Sequence, residues 1–552
     1  MNVAAISHQG RGIDCFALDT RTFRIRLTVA RGDFDRVELC YALNKYAWDT
    51  QRRVEPMRLR ASDALRDFYE LDVSGEDTRL AYLFILWRGR RRWYFSEEGL
   101  QRTCDFASAH HIFFQYPYIH ACDVHRTVSW ADTAALYQIF PERFANGLGD
   151  KPYVDTPWDG EPTPQCYMGG DLPGIEAHLD YLTDLGINCL YMTPIHPSAT
   201  NHKYSVIDYT DVDAGFGGRA AFRSLVEAAH RRGIRVLLDG VFNHCSLQFP
   251  PFADVVRRGK ASPYWDFFFI KGDAVDLQRV NYKTFGAVPE MPKLNTANPE
   301  VIRYFCEIGA MWVREYGIDG WRLDVMDELS AEFLRAFRRA VKAVNPDALL
   351  LGETWHEPRG WLQGDQLDGV MNYGVTKALM DYLVSRTLDA AGMAGRLARL
   401  YLRTSSPSAR MMMNLIGSHD TARFLTLLGG DVRRLKLAYC VLFFYVGMPC
   451  VYYGDEIGMQ GESDPGCRRG FVWDEAQWDS DLRGLVRTLC RLRTSGLLAG
   501  DEIDLRAEGQ TLIITRPRAR LLVNAGDTPA SLVLDGRPYA LDACSYIIET
   551  QA

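Results

Sequence analysis

Apolar and polar positions alternate with a period of two from about residue 10 to residue 115. In "FRIRLTV", Phe23, Ile25, Leu27 and Val29 stand opposite Arg24, Arg26 and Thr28, and "LAYLFILW" and "RRWYF" repeat the alternation with turn residues between them. This predicts a small antiparallel β-sandwich over residues 1–120. After "HACDVHRTVSWADTAA" the pattern changes to short apolar runs separated by long amphipathic helical stretches such as "GIEAHLDYLTDLG" and "RAAFRSLVEAAHRRG". The apolar runs are "ALYQIF" at 135, "NCLYMTPI" at 188, "IRVLLDGV" at 234, "IDGWRLDV" at 318, "ALLLGETW" at 348, "LDGVMNY" at 367, "MMMNLIGS" at 411 and "PCVYYGDE" at 449. Eight strands alternating with helices predict an α/β fold, a (β/α)8 TIM barrel over residues 121–490. The gap between the third and fourth strands is too long for one helix and is rich in aromatics, Pro and Gly, so an inserted lobe is expected at about 245–317. Alternation returns in "TLIITRPRARLLVNAG", which predicts a C-terminal β-sandwich domain over 491–552.

At 552 residues and 47% hydrophobic, the chain can fill several cores. A formal net charge of −7 without a basic stripe argues against nucleic acid as a partner. The densest basic run, Arg88 to Arg92, sits between alternating strands like a solvated hairpin tip. The stretch "LAYCVLFFYVGMPCVYY" from Leu437 is interrupted by Gly447 and Pro449, and reads as a buried helix entering a buried strand, with no membrane partner implied. Thirteen cysteines are scattered without a CxxC pair, and the N-terminus lacks the order of regions found in a signal peptide. Free thiols and a cytoplasmic location are expected. No HxxxH or Cys/His cluster suggests a transition metal.

In a barrel of this type, chemistry collects at the C-terminal strand ends. Those ends carry Asp239, Asn243 and His244, then Arg322 and Asp324, then Glu353, then His419 and Asp420. Strand alternation puts Arg322 and Asp324 on one face, where a bidentate pair would keep Asp324 ionised. Glu353 follows Leu349 and Leu351 on the same face, and its apolar setting should raise its pKa. One ionised and one protonated carboxyl are what a retaining glycosidase needs at its strand ends. Blander readings exist for each group. Asp324 with Arg322 could be a structural ion pair, Asp420 a helix N-cap, His244 and His419 satisfied core histidines, and Tyr204 and Trp355 core aromatics.

The ordered segments "DGVFNH", "GWRLDV", "GETWH" and "IGSHDT" resemble the signatures of the α-amylase family, glycoside hydrolase family 13. The resemblance implies Asp324 as nucleophile, Glu353 as acid/base and Asp420 as transition-state stabiliser, with Arg322, His244 and His419 as substrate-site residues. "MPKLN" at 291, "NHKYSVIDY" at 201, "GETWHE" and "LQGDQLDGVMNY" are similar to the subgroup of cyclomaltodextrinases, neopullulanases and maltogenic amylases, although Ser205 and Val206 stand where that subgroup commonly has Asp-Thr. By that likeness Tyr204 stacks on a sugar, and His202, Trp355 and His356 join the substrate site. "FANGLGD" resembles a loop that binds calcium in some relatives, which makes Asn146, Asp150, Gly170 and Asp171 candidate ligands. Leu148 replaces an oxygen donor there, and Lys293 stands where many α-amylases have an acid, so no cofactor is expected to be required. The implied activity is retaining hydrolysis of α-1,4 bonds in cyclodextrins and maltooligosaccharides, with pullulan as a further candidate. A transglycosylating α-glucanotransferase and a non-catalytic glucan-binding scaffold are the alternatives. The implied partners are the α-glucan oligosaccharide and a second copy of the chain, joined as a homodimer through the N-terminal domain.

Overall fold

The computed structural model describes residues 1–106 and 110–550. Its N-terminal part is two packed antiparallel sheets. One orders the strands Cys15–Ala17, Thr22–Ala30, Arg66–Ser74 and Arg58–Ser62; the other orders Arg53–Pro56, Arg36–Ala42, Leu80–Arg88, Arg91–Ser96 and Gly99–Gln101, with Phe114–Tyr116 also on Leu80–Arg88. Phe23, Ile25, Leu27 and Val29 are fully buried between the sheets, as the alternation predicts. The opposite face of that strand is not simply solvated. Arg26 is buried beneath Tyr401 and donates to the Thr404 carbonyl at 2.7 Å, and Arg24 pairs with Asp501 at 2.7 Å, so the polar face carries the junction with the rest of the chain.

Eight parallel strands follow: β1 Leu136–Ile139, β2 Cys189–Met192, β3 Arg235–Gly240, β4 Gly320–Leu323, β5 Leu349–Gly352, β6 Gly369–Val370, β7 Met413–Asn414 and β8 Met448–Tyr452. They pair in the order β6-β5-β4-β3-β2-β1-β8-β7, and a parallel bridge from Met371 to Met413 brings the two ends together. Every predicted strand is present. Outward residues such as Leu190, Val236, Leu238, Trp321 and Leu350 meet the helices, while Leu136, Tyr191, Leu237, Leu349, Leu351 and Met413 fill the interior. Gly320 pairs with Leu349, and a Cβ there would lie 2.1 Å from the Leu349 carbonyl oxygen, so only glycine lets β4 start this close to β5.

The ring includes α1 Gly218–Arg231, α2 Pro299–Tyr316, α3 Ala331–Val344, α4 Ala390–Leu402, α5 Val432–Phe444 and α6 Ser480–Thr494. Two expected boundaries move. The lobe after β3 ends at Asn298, not Gly317, because Asn298 caps α2 through the Glu300 amide, Pro299 opens it, and Gly309 packs against Phe337 of α3. The last ring helix runs to Thr494, beyond the expected end at 490, and the C-terminal strands begin at Asp504. Those strands form a four-stranded antiparallel sheet and a separate hairpin, Ala530–Leu534 with Arg537–Leu541. The apolar stretch from Leu437 is the second half of α5 running into β8, and no helix among the described residues is long and apolar enough to cross a membrane. Arg88 to Arg92 does form a hairpin tip.

Candidate active site

Successive inward positions on β3, β4 and β5 bring three acids to one cation. Asp239 lies in register with Arg322. Arg322 Nη1 donates to Asp239 Oδ1 at 2.9 Å and Oδ2 at 3.0 Å and to Asp324 Oδ1 at 2.8 Å, while Nη2 lies 2.9 Å from Glu353 Oε2. The expected bidentate pair with Asp324 is therefore corrected: the guanidinium is divided among three carboxyls. Burial pushes the Asp324 carboxyl well above the usual carboxylate range, against the pull of Arg322 and with the repulsion of Glu353 and Asp239 added. This also corrects the expectation that Arg322 alone keeps Asp324 ionised. Asp239 is pushed up to about 6 by burial, opposed by Arg322 and by the hydroxyls of Tyr191 and Tyr204.

Glu353 Oε2 accepts from the Val325 amide at 3.0 Å. Val325 sits in the left-handed region at φ 45° and ψ 44°, a strained conformation for a β-branched residue, held directly after Asp324. A second hydrogen-bonded line crosses the barrel mouth. Gln138 on β1 donates to His419 Nδ1 at 2.8 Å, His419 Nε2 faces the Tyr204 hydroxyl at 2.6 Å, and that hydroxyl donates to Asp239 Oδ2 at 2.9 Å. Burial, together with Arg468, holds the His419 pKa well below its ordinary value, so the ring is neutral, with its proton on Nε2. Tyr204 lies parallel to His419, with ring centres 5.4 Å apart, and stacks with His202 at 5.8 Å.

Asp420 is held by Arg468 Nη2 at 3.2 Å on one oxygen and faces His419 Nε2 at 3.2 Å with the other. It caps nothing: the short helix Phe424–Leu427 begins after Arg423. Neither buried ring nitrogen of His244 meets hydrogen-bond geometry among the described residues, although the Tyr204 backbone lies beside the ring, which stacks on Phe285 at 4.7 Å. Burial and Lys293 lower its pKa to about 3, and burial with Arg468 and Lys203 lowers His202 to about 4.

These groups open into a cavity of about 420 Å³ that is lined by His202, Tyr204, His244, Asp324, Glu353, Trp355, His419 and Asp420. Arg322 does not line it but lies fully buried beneath. Trp355, 50% exposed, stacks face to face on Tyr373 at 3.9 Å. His356 lines the adjoining cavity, which shares Trp355 with this one. Sequence reasoning missed Arg468, Asp464, Phe285, Met291 and Asp327, all in the lining. The charged run in "ESDPGCRRG" after β8 was the only signal for Arg468 and Asp464, and nothing periodic marks the aromatic lobe.

The calcium candidates do not form a ligand shell. Asn146 closes its own loop with Gly149, and the Gly170 amide donates to the Glu142 carbonyl. Asp150 is exposed. Asp171 accepts from the amides of Gly147, Leu148 and Gly174 and pairs with Lys151 Nζ at 2.7 Å; the same ammonium donates to the Gly169 carbonyl. Likewise, Lys293 Nζ bonds Asn243 and lies 2.5 Å from Glu328. Among the described residues no group of three or more His, Cys, Asp and Glu is placed to hold a metal ion.

Carboxyls at the C-terminal ends of parallel barrel strands, gathered at one cavity with flat aromatic walls, define a glycoside hydrolase. Residues 138–491 match the α-amylase catalytic domain and residues 1–120 the α-amylase N-terminal Ig-like domain, so the chain belongs to the α-amylase family. It is 42% identical to a cyclomaltodextrinase of Geobacillus thermopakistaniensis over 92% of this chain and 88% of that one. It is also 42% identical to neopullulanase 2 of Thermoactinomyces vulgaris, over 89% and 84% of the two chains. A solved cyclomaltodextrinase structure superposes with a TM-score of 0.89 at 39% identity, covering 97% of this chain and 94% of its own.

The two lysine ammonium groups predict the response to chelation. Activity and Tm should be unchanged by a chelator, and reversible loss restored by calcium would contradict this. Lys293→Met, which removes the donor to Asn243 and the partner of Glu328, should cost about 1–3 kcal/mol, read as a lowered Tm.

Proposed function

We propose that this enzyme hydrolyses α-1,4 glucosidic bonds of cyclodextrins and short maltooligosaccharides by double displacement. The observation that carries the reading is the single guanidinium shared by Asp324, Glu353 and Asp239. One cation cannot neutralise three carboxylates, so the cluster favours retention of a proton. Arg322 Nη1 hydrogen-bonds Asp239 and Asp324, whereas Nη2 faces Glu353 without hydrogen-bond geometry. Glu353, which accepts the Val325 N–H on Oε2 and makes no hydrogen bond through Oε1 among the described residues, takes the acid/base role.

In the first step Asp324 Oδ2, the oxygen not bonded to Arg322, attacks the anomeric carbon as the Glu353 proton passes to the glycosidic oxygen, which leaves with its sugar. Asp324 is then esterified. In the second step Glu353 takes a proton from water, the hydroxide oxygen bonds to the anomeric carbon, and the Asp324 carboxylate is released. Two inversions retain the α configuration. Asp420, steered by Arg468 and His419, faces the ring hydroxyls, while Tyr204 and His202 supply the flat apolar wall on which a glucosyl ring stacks. The substrate class follows the relatives named cyclomaltodextrinase and neopullulanase. Asp324→Asn and Glu353→Gln should each lower kcat on maltotriose by at least about a thousandfold with the fold intact. Proton NMR of the first product should show the α anomer; initial β product, or near-normal turnover by either variant, contradicts the mechanism.

The reading extends to assembly and location. Tyr46, 76% exposed, follows the strand Arg36–Ala42, and Val54 is exposed on the edge strand paired with it, an edge suited to a second copy laid across the barrel mouth. The full chain should sediment as a dimer of 62.7 kDa subunits. Tyr46→Lys with Val54→Lys should give a monomer whose activity on starch rises relative to cyclodextrin. A monomeric wild type, or an unchanged ratio, would sink this assignment. All thirteen cysteines are free, which suits a reducing cytoplasm. Recovery from the culture medium instead of the cell lysate would contradict that location.

A further inference from the structure

A second cavity, of about 670 Å³, lies between α4 and the segment after β5, and Trp355 borders both it and the catalytic cavity. Its walls carry Lys377, Arg396, Arg399 and Arg403 against one carboxylate, Glu357. The nearby acids are shared among several cations, with Asp63 acting on Arg399. Glu357 is shared by Arg403 at 3.5 Å and Arg359 at 3.2 Å, and Asp381 by Arg396 at 3.4 Å and Lys377 at 2.6 Å. Arg399 makes no ion pair or side-chain hydrogen bond among the described residues, and Arg403 Nε is buried without a hydrogen-bond partner. Arg396, Arg399 and Arg403 follow one another at three- and four-residue steps along one face of α4 and its C-terminal cap, a spacing at which like charges repel. Arg399 in the last turn and Arg403 at the cap both suit the helix C-terminus, but the dipole does not account for Arg396 a turn earlier. Burial, with Arg396 and Arg403, holds the Arg399 pKa below its ordinary value against the opposing pull of Asp63.

We propose that this cavity binds a phosphate group, either free or carried on a sugar, through Arg396, Arg399 and Arg403. Phosphate suits the site because each guanidinium fork can engage two of its oxygens, and its charge offsets the excess on the walls. The stacked pair Trp355 and Tyr373 offers a flat face for a sugar ring bearing that phosphate. Because Trp355 also borders the catalytic cavity, occupancy should change substrate affinity, and substrate should change the phosphate affinity by the same factor.

Titration calorimetry of the full-length protein at low ionic strength tests this with inorganic phosphate, glucose 6-phosphate and glucose. Saturable binding of either phosphate compound, with none of glucose, is expected. Tighter binding of glucose 6-phosphate identifies a sugar-borne group, and equal binding identifies free phosphate. Arg399→Gln should weaken binding at least tenfold while basal hydrolysis of maltotriose persists, and Arg396→Gln should act in the same direction should the first variant fold poorly. Absence of binding by both phosphate compounds, or undiminished binding in a folded variant, overturns the proposal.

Discussion

The contact on which the rest depends is the one between the Arg322 guanidinium and the carboxyls of Asp239, Asp324 and Glu353. A fully buried arginine would be prohibitively costly alone, and three buried carboxyls would be worse. Together they form a unit that is still short of positive charge, in which burial, with the repulsion of Glu353 and Asp239 added, raises the Asp324 pKa against the pull of Arg322. Such a cluster is a weak contributor to stability but a strong constraint on arrangement, because each member is tolerable only while the others are in place.

The barrel supplies that arrangement through strand register. Asp239 faces Arg322 across β3 and β4, and Arg322 is paired with Leu351, two residues before Glu353, on β5. A shift of one residue in any of these strands would turn its charged group out among the helices. The close start of β4 at Gly320 and the apolar interior below, with Leu237, Leu349 and Leu351, oppose such a shift. Val325 then bends the chain immediately after Asp324 and aims an amide at Glu353, a local strain held by the surrounding packing.

Periodicity alone located all eight strands, because residues buried on both faces of a parallel sheet leave continuous apolar runs that few other elements imitate. The charges at their ends were legible for the same reason: Arg322 and Asp324 stand out against "GWRLDV". What the pattern hid was long-range. Whether Arg322 served one acid or three depended on strand order, which a linear reading does not contain. Arg468 reaches Asp420 from a loop 48 residues away, and Phe285 enters the cavity from a lobe without periodicity. His356 and Trp355 adjoin in an irregular loop, where neighbours need not share a direction, and the sequence does not say which cavity each one lines. The capped helix Pro299–Tyr316 is hard to read in the sequence because it directly follows an irregular, aromatic-rich segment.

The most direct test is the pH dependence of kcat/KM in Arg322→Lys, with maltotriose as substrate and a folding check at each pH. Lysine keeps the charge but places it on one ammonium that cannot serve three carboxyls. Arg322 lowers the Asp324 pKa, so its replacement should raise it, and a nucleophile with a raised pKa is ionised only above that higher value. Activity should therefore be lost earlier as pH falls, with the acid limb displaced upward by about one unit or more. A uniform fall in kcat/KM with the acid limb unmoved would contradict the shared guanidinium as the source of the division between nucleophile and acid.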